Sequence, residues 1–325
     1  MILAGDIGGT STRLALAEVE GGVPRLEVVE RYASRDHRGL AEIVDAFFSA
    51  HPADVDRACF GIAGPVRHGR VVTPNLPWVV EAQALARRFG IGTVRLLNDL
   101  EANAYGVFTL APEDFAVLNQ GHPARDGNAA IISPGTGLGE AGYLWDGKEL
   151  RPFASEGGHA DFAARNDLEV ELFRWLHIRH GHVSYERVVS GPGLVNVYTF
   201  LRDTGRGEET AALAAEIGAS NLAAAISYAA LSGRSELAVA ALDLFVSILG
   251  AEAGNLALKM KATRGVYLGG GIVPKILPRL QRPGFLEAFT DKGRFEAFME
   301  AVPVQVILNE WTALRGAALS ASLSP

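Results

Sequence analysis

The feature that most restricts the fold of this chain is a pattern that occurs twice: an apolar strand, a glycine-rich turn, and a second strand. The first copy is Ile2-Leu3-Ala4-Gly5-Asp6-Ile7-Gly8-Gly9-Thr10, after which Leu14 and Leu16 alternate with small residues until Gly21-Gly22 closes the hairpin. The second is Ala129-Ala130-Ile131-Ile132 running into Ser133-Pro134-Gly135-Thr136-Gly137-Leu138-Gly139, followed by an apolar strand and an Asp146-Gly147 hairpin turn. A chain of 325 residues with 48% hydrophobic and 21% charged residues is globular by composition, and at roughly 150 residues per domain it is long enough for about two domains.

Around these copies the periodicity alternates between strand and helix. A third strand near Leu26 to Tyr32 leads to an amphipathic helix on Leu40, Ile43, Val44, Phe47 and Phe48, stopped by His51-Pro52. Ala58 to Ala63 reads as a strand ending in Gly64-Pro65, a helix is expected from about Glu81 to Phe89 before Gly90, and Val94 to Leu97 forms another strand. Helices dominate from Leu168 to Lys261, strands return at Gly265 to Leu268 and Val302 to Leu308, and a helical pattern from Trp311 to Leu323 is placed to return and brace the first domain.

Composition removes several function classes. Thirty basic against 37 acidic side chains give a net charge of -7, which disfavours nucleic acid and anionic lipid as partners. Cys59 is the single cysteine, so no disulfide framework and no multi-cysteine metal site forms within one chain. Asp6 and two glycines stand where a signal peptide needs an apolar stretch. The longest uncharged window, 217–233, is shorter than a bilayer span. A soluble cytoplasmic protein is expected.

The candidate chemistry sits at strand ends. Glycines after Asp6 let backbone N–H groups approach an anion, and Thr10 adds a hydroxyl; a plain hairpin turn is the competing account. Gly135 to Gly139 supplies a second such loop, and two of them enclose a polyphosphate if their domains pack face to face. Neither is a Walker loop, because no Gly-Lys-Ser/Thr follows. Gly137, Gly139 and Gly142 match the dinucleotide fingerprint, but a strand follows instead of the required helix. Leu268-Gly269-Gly270-Gly271-Ile272 offers bare backbone for a flat base, or a simple strand-to-helix turn. Asn98-Asp99 precedes a helix, where capping is the ordinary role of a short polar side chain and proton acceptance from a hydroxyl the functional one. In Ser155-Glu156-Gly157-Gly158-His159-Ala160-Asp161 a glycine pair between a carboxylate and an imidazole suits a small polar ligand or a surface loop. His177, His180 and His182 span a helix end at Gly181 and read as solvated side chains, while Glu186 lies in an early helical turn where an acid is favoured anyway.

Taken in order, the segments Gly5-Asp6-Ile7-Gly8-Gly9-Thr10, Ile62-Ala63-Gly64-Pro65-Val66, Thr73-Pro74-Asn75-Leu76-Pro77-Trp78, Asn98-Asp99-Leu100, Gly135-Thr136-Gly137-Leu138-Gly139, Glu156-Gly157-Gly158-His159, Ser190-Gly191-Pro192-Gly193-Leu194 and Gly269-Gly270-Gly271-Ile272 resemble the bacterial glucokinase family of the non-ROK type. That family falls within the hexokinase and actin-like ATPase superfamily. The cysteine-rich zinc motif of ROK sugar kinases is absent. The resemblance implies an α/β, two-domain ribonuclease-H-like fold with an interdomain cleft, its small domain being 1–108 plus 312–325 and its large domain 109–311. It implies ATP-dependent phosphorylation of glucose at the 6-hydroxyl, with ATP and Mg²⁺ bound and a homodimer as the assembly. Asp99 is then the general base, and Asn98, Asp99, Glu156, His159 and Glu186 hold the sugar. Gly5, Asp6, Ile7, Gly8, Gly9, Thr10, Gly135, Thr136 and Gly137 face the ATP phosphates, Gly270 and Gly271 the adenosine, and Asp6 orders magnesium through water. Leu100, where Phe is frequent, and Ser133-Pro134 depart from the pattern without removing a contact. The sequence leaves open a kinase of another hexose, a polyphosphate-using glucokinase, and a non-catalytic sugar-sensing regulator.

Overall fold

The computed structural model describes residues 1–74, 76–211, 213 and 221–323, so Asn75 of the Thr73–Trp78 motif and residues 217–220 of the uncharged window lie outside the described residues. The chain forms two compact units, Met1–Asp114 with Asn309–Pro325, and Phe115–Leu308.

The first unit contains β1 (Ile2–Ile7), β2 (Ser11–Glu20), β3 (Val23–Ala33), α1 (Leu40–Ala50), β4 (Arg57–Ile62), β5 (Arg70–Val72), β6 (Val79–Glu81), α2 (Ala82–Phe89), β7 (Thr93–Asn98) and α3 (Asp99–Val107). Its main sheet has the order β3-β2-β1-β4-β7, with β1, β2 and β3 antiparallel and β1, β4 and β7 parallel. Alternate residues of β1 serve opposite faces, as the pleat requires. Leu3 and Ile7 pack with Ile43, Val44 and Phe47 of α1, whereas Ala4 packs with Cys59, Leu97 and the C-terminal helix Thr312–Ser322. On that second face the side chains are small, and the helices come very close. A Cβ at Gly316 would overlap the carbonyl of Ala102 in α3, and one at Gly106 would overlap the carbonyl of Thr312. The C-terminal helix thus braces α3 within its own unit. One expectation is displaced: Glu81 ends the strand β6, which pairs with β5 in a separate hairpin, and the helix begins at Ala82. Strands of three residues are too short to print an alternating pattern.

The second unit contains β8 (Phe115–Asn119), β9 (Ala129–Pro134), β10 (Leu138–Trp145), β11 (Leu150–Ser155), α4 (Asp167–His180), α5 (Gly191–Asp203), α6 (Leu222–Leu231), α7 (Glu236–Met260), β12 (Gly265–Leu268), α8 (Leu277–Leu280), α9 (Pro283–Thr290), α10 (Glu296–Glu300) and β13 (Val304–Ile307). Its sheet order is β11-β10-β9-β12-β13-β8. Place for place, β9, β10, β11, β12 and β13 repeat β1, β2, β3, β4 and β7, with β8 added antiparallel to β13 at the edge. The two strand–turn–strand copies are therefore the first hairpins of one sheet design built twice. α7 is long and apolar enough to cross a membrane, yet Leu237, Leu242, Phe245, Ile248 and Leu249 are all buried in the core of this unit.

Candidate functional site

In the first unit the predicted residues converge at the carboxyl ends of three neighbouring parallel strands, where α/β sheets present ligand sites. Asp6 pairs with Gly61, and Ile62 with Asn98, so the Gly8–Thr10 turn, the end of β4 and Asn98-Asp99 lie side by side. Gly61 makes this possible: a Cβ there would overlap the Cβ of Ala102 in α3, so glycine lets that helix lie this close. Asn98 is the N-cap of α3. Its Oδ1 accepts from the Leu100 N–H at 2.9 Å and its amide donates to the Gly64 carbonyl at 3.2 Å, which fixes the strand-to-helix corner. Asp99 stands in the first helical turn, where its Oδ1 also accepts from Leu100 N–H, and it is half-buried.

Asp6 is held 3.8 Å from the guanidinium of Arg13. Burial, with a smaller push from the charge of Asp99 and against the pull of Arg13, raises its carboxyl to about 6. The Gly8–Thr10 turn is set from behind by a residue the sequence did not flag. Ser34, fully buried, donates its hydroxyl to the Gly8 carbonyl at 2.8 Å and its N–H to the Thr10 carbonyl at 3.1 Å, and it shares a hydrogen bond with Thr12 at 3.0 Å. A lone serine after a strand carries no motif, so nothing marked it in advance.

In the second unit the Gly135–Gly137 turn closes with the Gly135 N–H donating to the Gly137 carbonyl at 2.8 Å. Its Gly135 carbonyl accepts from the Gly191 N–H at the start of α5, also at 2.8 Å, and Thr136 is exposed at its tip. Glu186, in the 3₁₀ turn Tyr185–Arg187, accepts the Leu138 N–H at 3.0 Å, and the absence of a side chain at Gly137 leaves room for its carboxylate. Glu156 and His159 are exposed on the adjoining turn Gly157–His159, which is tied to the Glu186 turn by the Tyr185 N–H donating to the Ala160 carbonyl at 3.0 Å. Glu156, His159 and Glu186 are thus brought together beside the second glycine loop. The glycine pair between Glu156 and His159 has a packing cause: a Cβ at Gly157 would overlap the Glu140 carboxyl, and one at Gly158 the Leu138 carbonyl. The third glycine group joins the same loop, since Leu268 pairs with Ile132 and Gly270, at φ +82°, sits against the Pro134 carbonyl while Gly271 faces open space.

Metal-ligating potential is slight. Among the described residues no cluster of three His, Cys, Asp or Glu side chains is able to hold an ion. His182 instead pairs with Asp161 at 2.8 Å, and His177 stacks on Phe173. Asp6 fits Mg²⁺ as a single hard-oxygen donor, since a carboxylate crowded by Asp99 gains from a cation and Mg²⁺ commonly takes only one or two protein ligands beside phosphate oxygens. Cys59 is buried, and burial pushes its thiol up to about 12, which leaves it inert.

The Glucokinase family model matches residues 3–324. A glucokinase of Nostoc sp. (strain PCC 7120 / SAG 25.82 / UTEX 2576) is 40% identical, with 99% of each chain aligned. One of Caulobacter vibrioides (strain NA1000 / CB15N) is 37% identical over 98% of this chain and 94% of its own. Among solved structures, a glucokinase from an Antarctic psychrotroph superposes with a TM-score of 0.86 at 32% identity, covering 99% of each chain. A ROK family glucokinase from Streptomyces griseus, in complex with glucose and AMPPNP, has the same fold at a TM-score of 0.67 and 22% identity, again over 99% of each chain. Full-length similarity at this level has one reading: the chain belongs to the glucokinase family.

Proposed function

We propose that this glucokinase transfers the γ-phosphoryl group of ATP to the 6-hydroxyl of glucose with Asp99 as the general base. The Asp99 carboxylate accepts the hydroxyl proton as the sugar oxygen bonds to the γ-phosphorus, while the bond from that phosphorus to the β–γ bridging oxygen breaks and ADP leaves. Asn98 holds the corner that aims Asp99, and together with Glu156, His159 and Glu186 it reads the remaining hydroxyls. Each sugar hydroxyl both donates and accepts, so carboxylates, an imidazole and an amide reject an epimer by leaving a buried polar group unpaired.

The Gly8–Thr10 turn and the Gly135–Gly137 turn each offer backbone N–H groups to the phosphates of ATP, with Gly5 and Ile7 completing the first strand end and Gly270 and Gly271 receiving the adenosine. Asp6 would hold Mg²⁺ through water; when bound, the ion neutralises charge on the transferring phosphates. Positioning the acceptor oxygen in line with the γ-phosphorus supplies most of the rate. ATP and glucose are cytoplasmic metabolites, so the proposed compartment is the cytoplasm. A homodimer is the common symmetric assembly.

The observation that carries this reading is the convergence of Asp6, the Gly8–Thr10 turn and Asn98-Asp99 on adjacent strand ends. The Streptomyces griseus enzyme, solved with a sugar and an ATP analogue, supports the pairing of those two ligands on this fold. Asp99→Asn is expected to lower kcat by roughly 10²–10⁴-fold while glucose affinity by titration calorimetry stays within a few-fold. Near-normal turnover in that variant removes Asp99 from the reaction.

A further inference from the structure

Beneath the Glu156–His159 turn lies a polar cluster with no part in the reaction just described. Glu140 of β10 and Glu252 of α7 are both fully buried, at 1% and 0% exposure, and their carboxyls meet. Two carboxylates in contact away from water do not both ionise; they hold a proton between them. The surroundings decide which one carries it. Glu252 receives Lys259 Nζ at 3.1 Å and the Asn255 amide at 2.8 Å, whereas Oε1 of Glu140 has no hydrogen-bond partner among the described residues. The proton therefore rests on Glu140.

The same carboxyl touches the sugar turn. Glu140 is paired with Ser155 across β10 and β11, its carbonyl accepts the Ser155 hydroxyl at 3.1 Å, and that hydroxyl accepts the Gly157 N–H at 3.1 Å. Gly157 has no Cβ and rests directly on Glu140 Oε2. On the other side, Asn255 donates to the hydroxyl of Tyr185 at 2.9 Å, next to Glu186. One buried cluster thus underlies both turns that carry Glu156, His159 and Glu186.

We propose that Glu140 is a positioning residue for the sugar-recognising turn: its protonated carboxyl, closed against Glu252, is the floor that sets Glu156 and His159 at their working height. This rests on the assignment of those residues to glucose. Loss of the proton leaves two buried negative charges in contact, which separates them and lifts Gly157. The charged and titratable groups facing Glu140 are Glu252 and Lys259 from α7 and Tyr185 from the 185–187 turn, with Arg165 and Lys292 in their field; β11 meets it with Ser155 and the 157–159 turn with glycine backbone. Burial first, and Glu252 second, push Glu140 up to about 8.

The test is the KM for glucose between pH 7 and 9 at saturating Mg-ATP, with the KM for ATP as an internal reference, in the wild type, Glu140→Gln and Glu156→Gln. The wild-type glucose KM is expected to rise about tenfold from pH 7 to pH 9, as a single proton released near 8 requires, while the ATP KM stays within about twofold. Glu140→Gln keeps the shape and cannot ionise, so its ratio between the two pH values is expected to fall within about twofold. A wild-type glucose KM flat in pH, or a Glu140→Gln profile that follows the wild type, overturns the proposal. If Glu156→Gln raises the glucose KM at pH 7 in that case, the sugar-site assignment survives; a silent Glu156→Gln ends that assignment and the proposal with it.

Discussion

Asp6 illustrates how a single residue pits function against stability. Its carboxyl titrates near 6 in the folded chain against an ordinary 3.8, because burial disfavours the charge and Asp99 adds to the effect. A group with a raised acid pKa makes the fold bind a proton more tightly than the unfolded chain does, so stability falls as pH climbs from about 4 to 6 and stays lowered above. The cost at neutral pH is roughly 2–3 kcal/mol for a shift of this size. Asp6→Asn is expected to melt higher than the wild type at pH 7.5 without ligands, with the difference vanishing by pH 4, while Mg-ATP turnover falls. A wild-type melting temperature that does not drop relative to the variant between pH 4 and 7 contradicts this. The residue scale also shows what a sequence discloses. Asp6, Asn98, Asp99, Glu156 and His159 stood out because each neighbours glycines or a helix start, whereas Glu186 entered only through the family resemblance. Ser34, Glu140 and Glu252 did not stand out, since their roles depend on partners that the fold brings together from 26, 17 and 112 residues away.

At the scale of elements, the strands and helices with clear periods were legible: β1, β4, β7, α1 and the two glycine hairpins follow from apolar runs and turn residues. The short β5–β6 hairpin was not, and neither was the packing reason for Gly157-Gly158, which is invisible until β10 is placed beneath them. Helix α3 has a further support of this kind. Its contact with the C-terminal helix uses glycine at both crossing points, each against backbone that cannot swing aside. Gly316→Ala is expected to force the two helices apart, costing about 1–3 kcal/mol in denaturant unfolding and, through the displaced start of α3, lowering kcat. Gly284→Ala, on the exposed start of α9 with open space around it, serves as the control and is expected to be neutral or slightly stabilising. Equal effects of the two substitutions would contradict the close-packing account.

For the whole molecule, duplication is the organising fact. The same strand order serves both units, and in each a glycine turn follows the central strand. That repetition was readable from two hairpin signatures, whereas the matching order of the later strands was not, because parallel neighbours such as β1 and β4 are separated by whole elements, here β2, β3 and α1, and leave no local trace. The central claim is that both turns grip one triphosphate while Asp99 receives the acceptor proton. It is tested most directly by a crystal structure of the protein with glucose and a non-hydrolysable ATP analogue. The account predicts the sugar 6-hydroxyl within about 2.6–3.2 Å of an Asp99 carboxylate oxygen, and phosphate oxygens met by backbone from both Gly8–Thr10 and Gly135–Gly137. A bound sugar whose 6-hydroxyl lies away from Asp99, or a triphosphate touched by only one of the two turns, would contradict it.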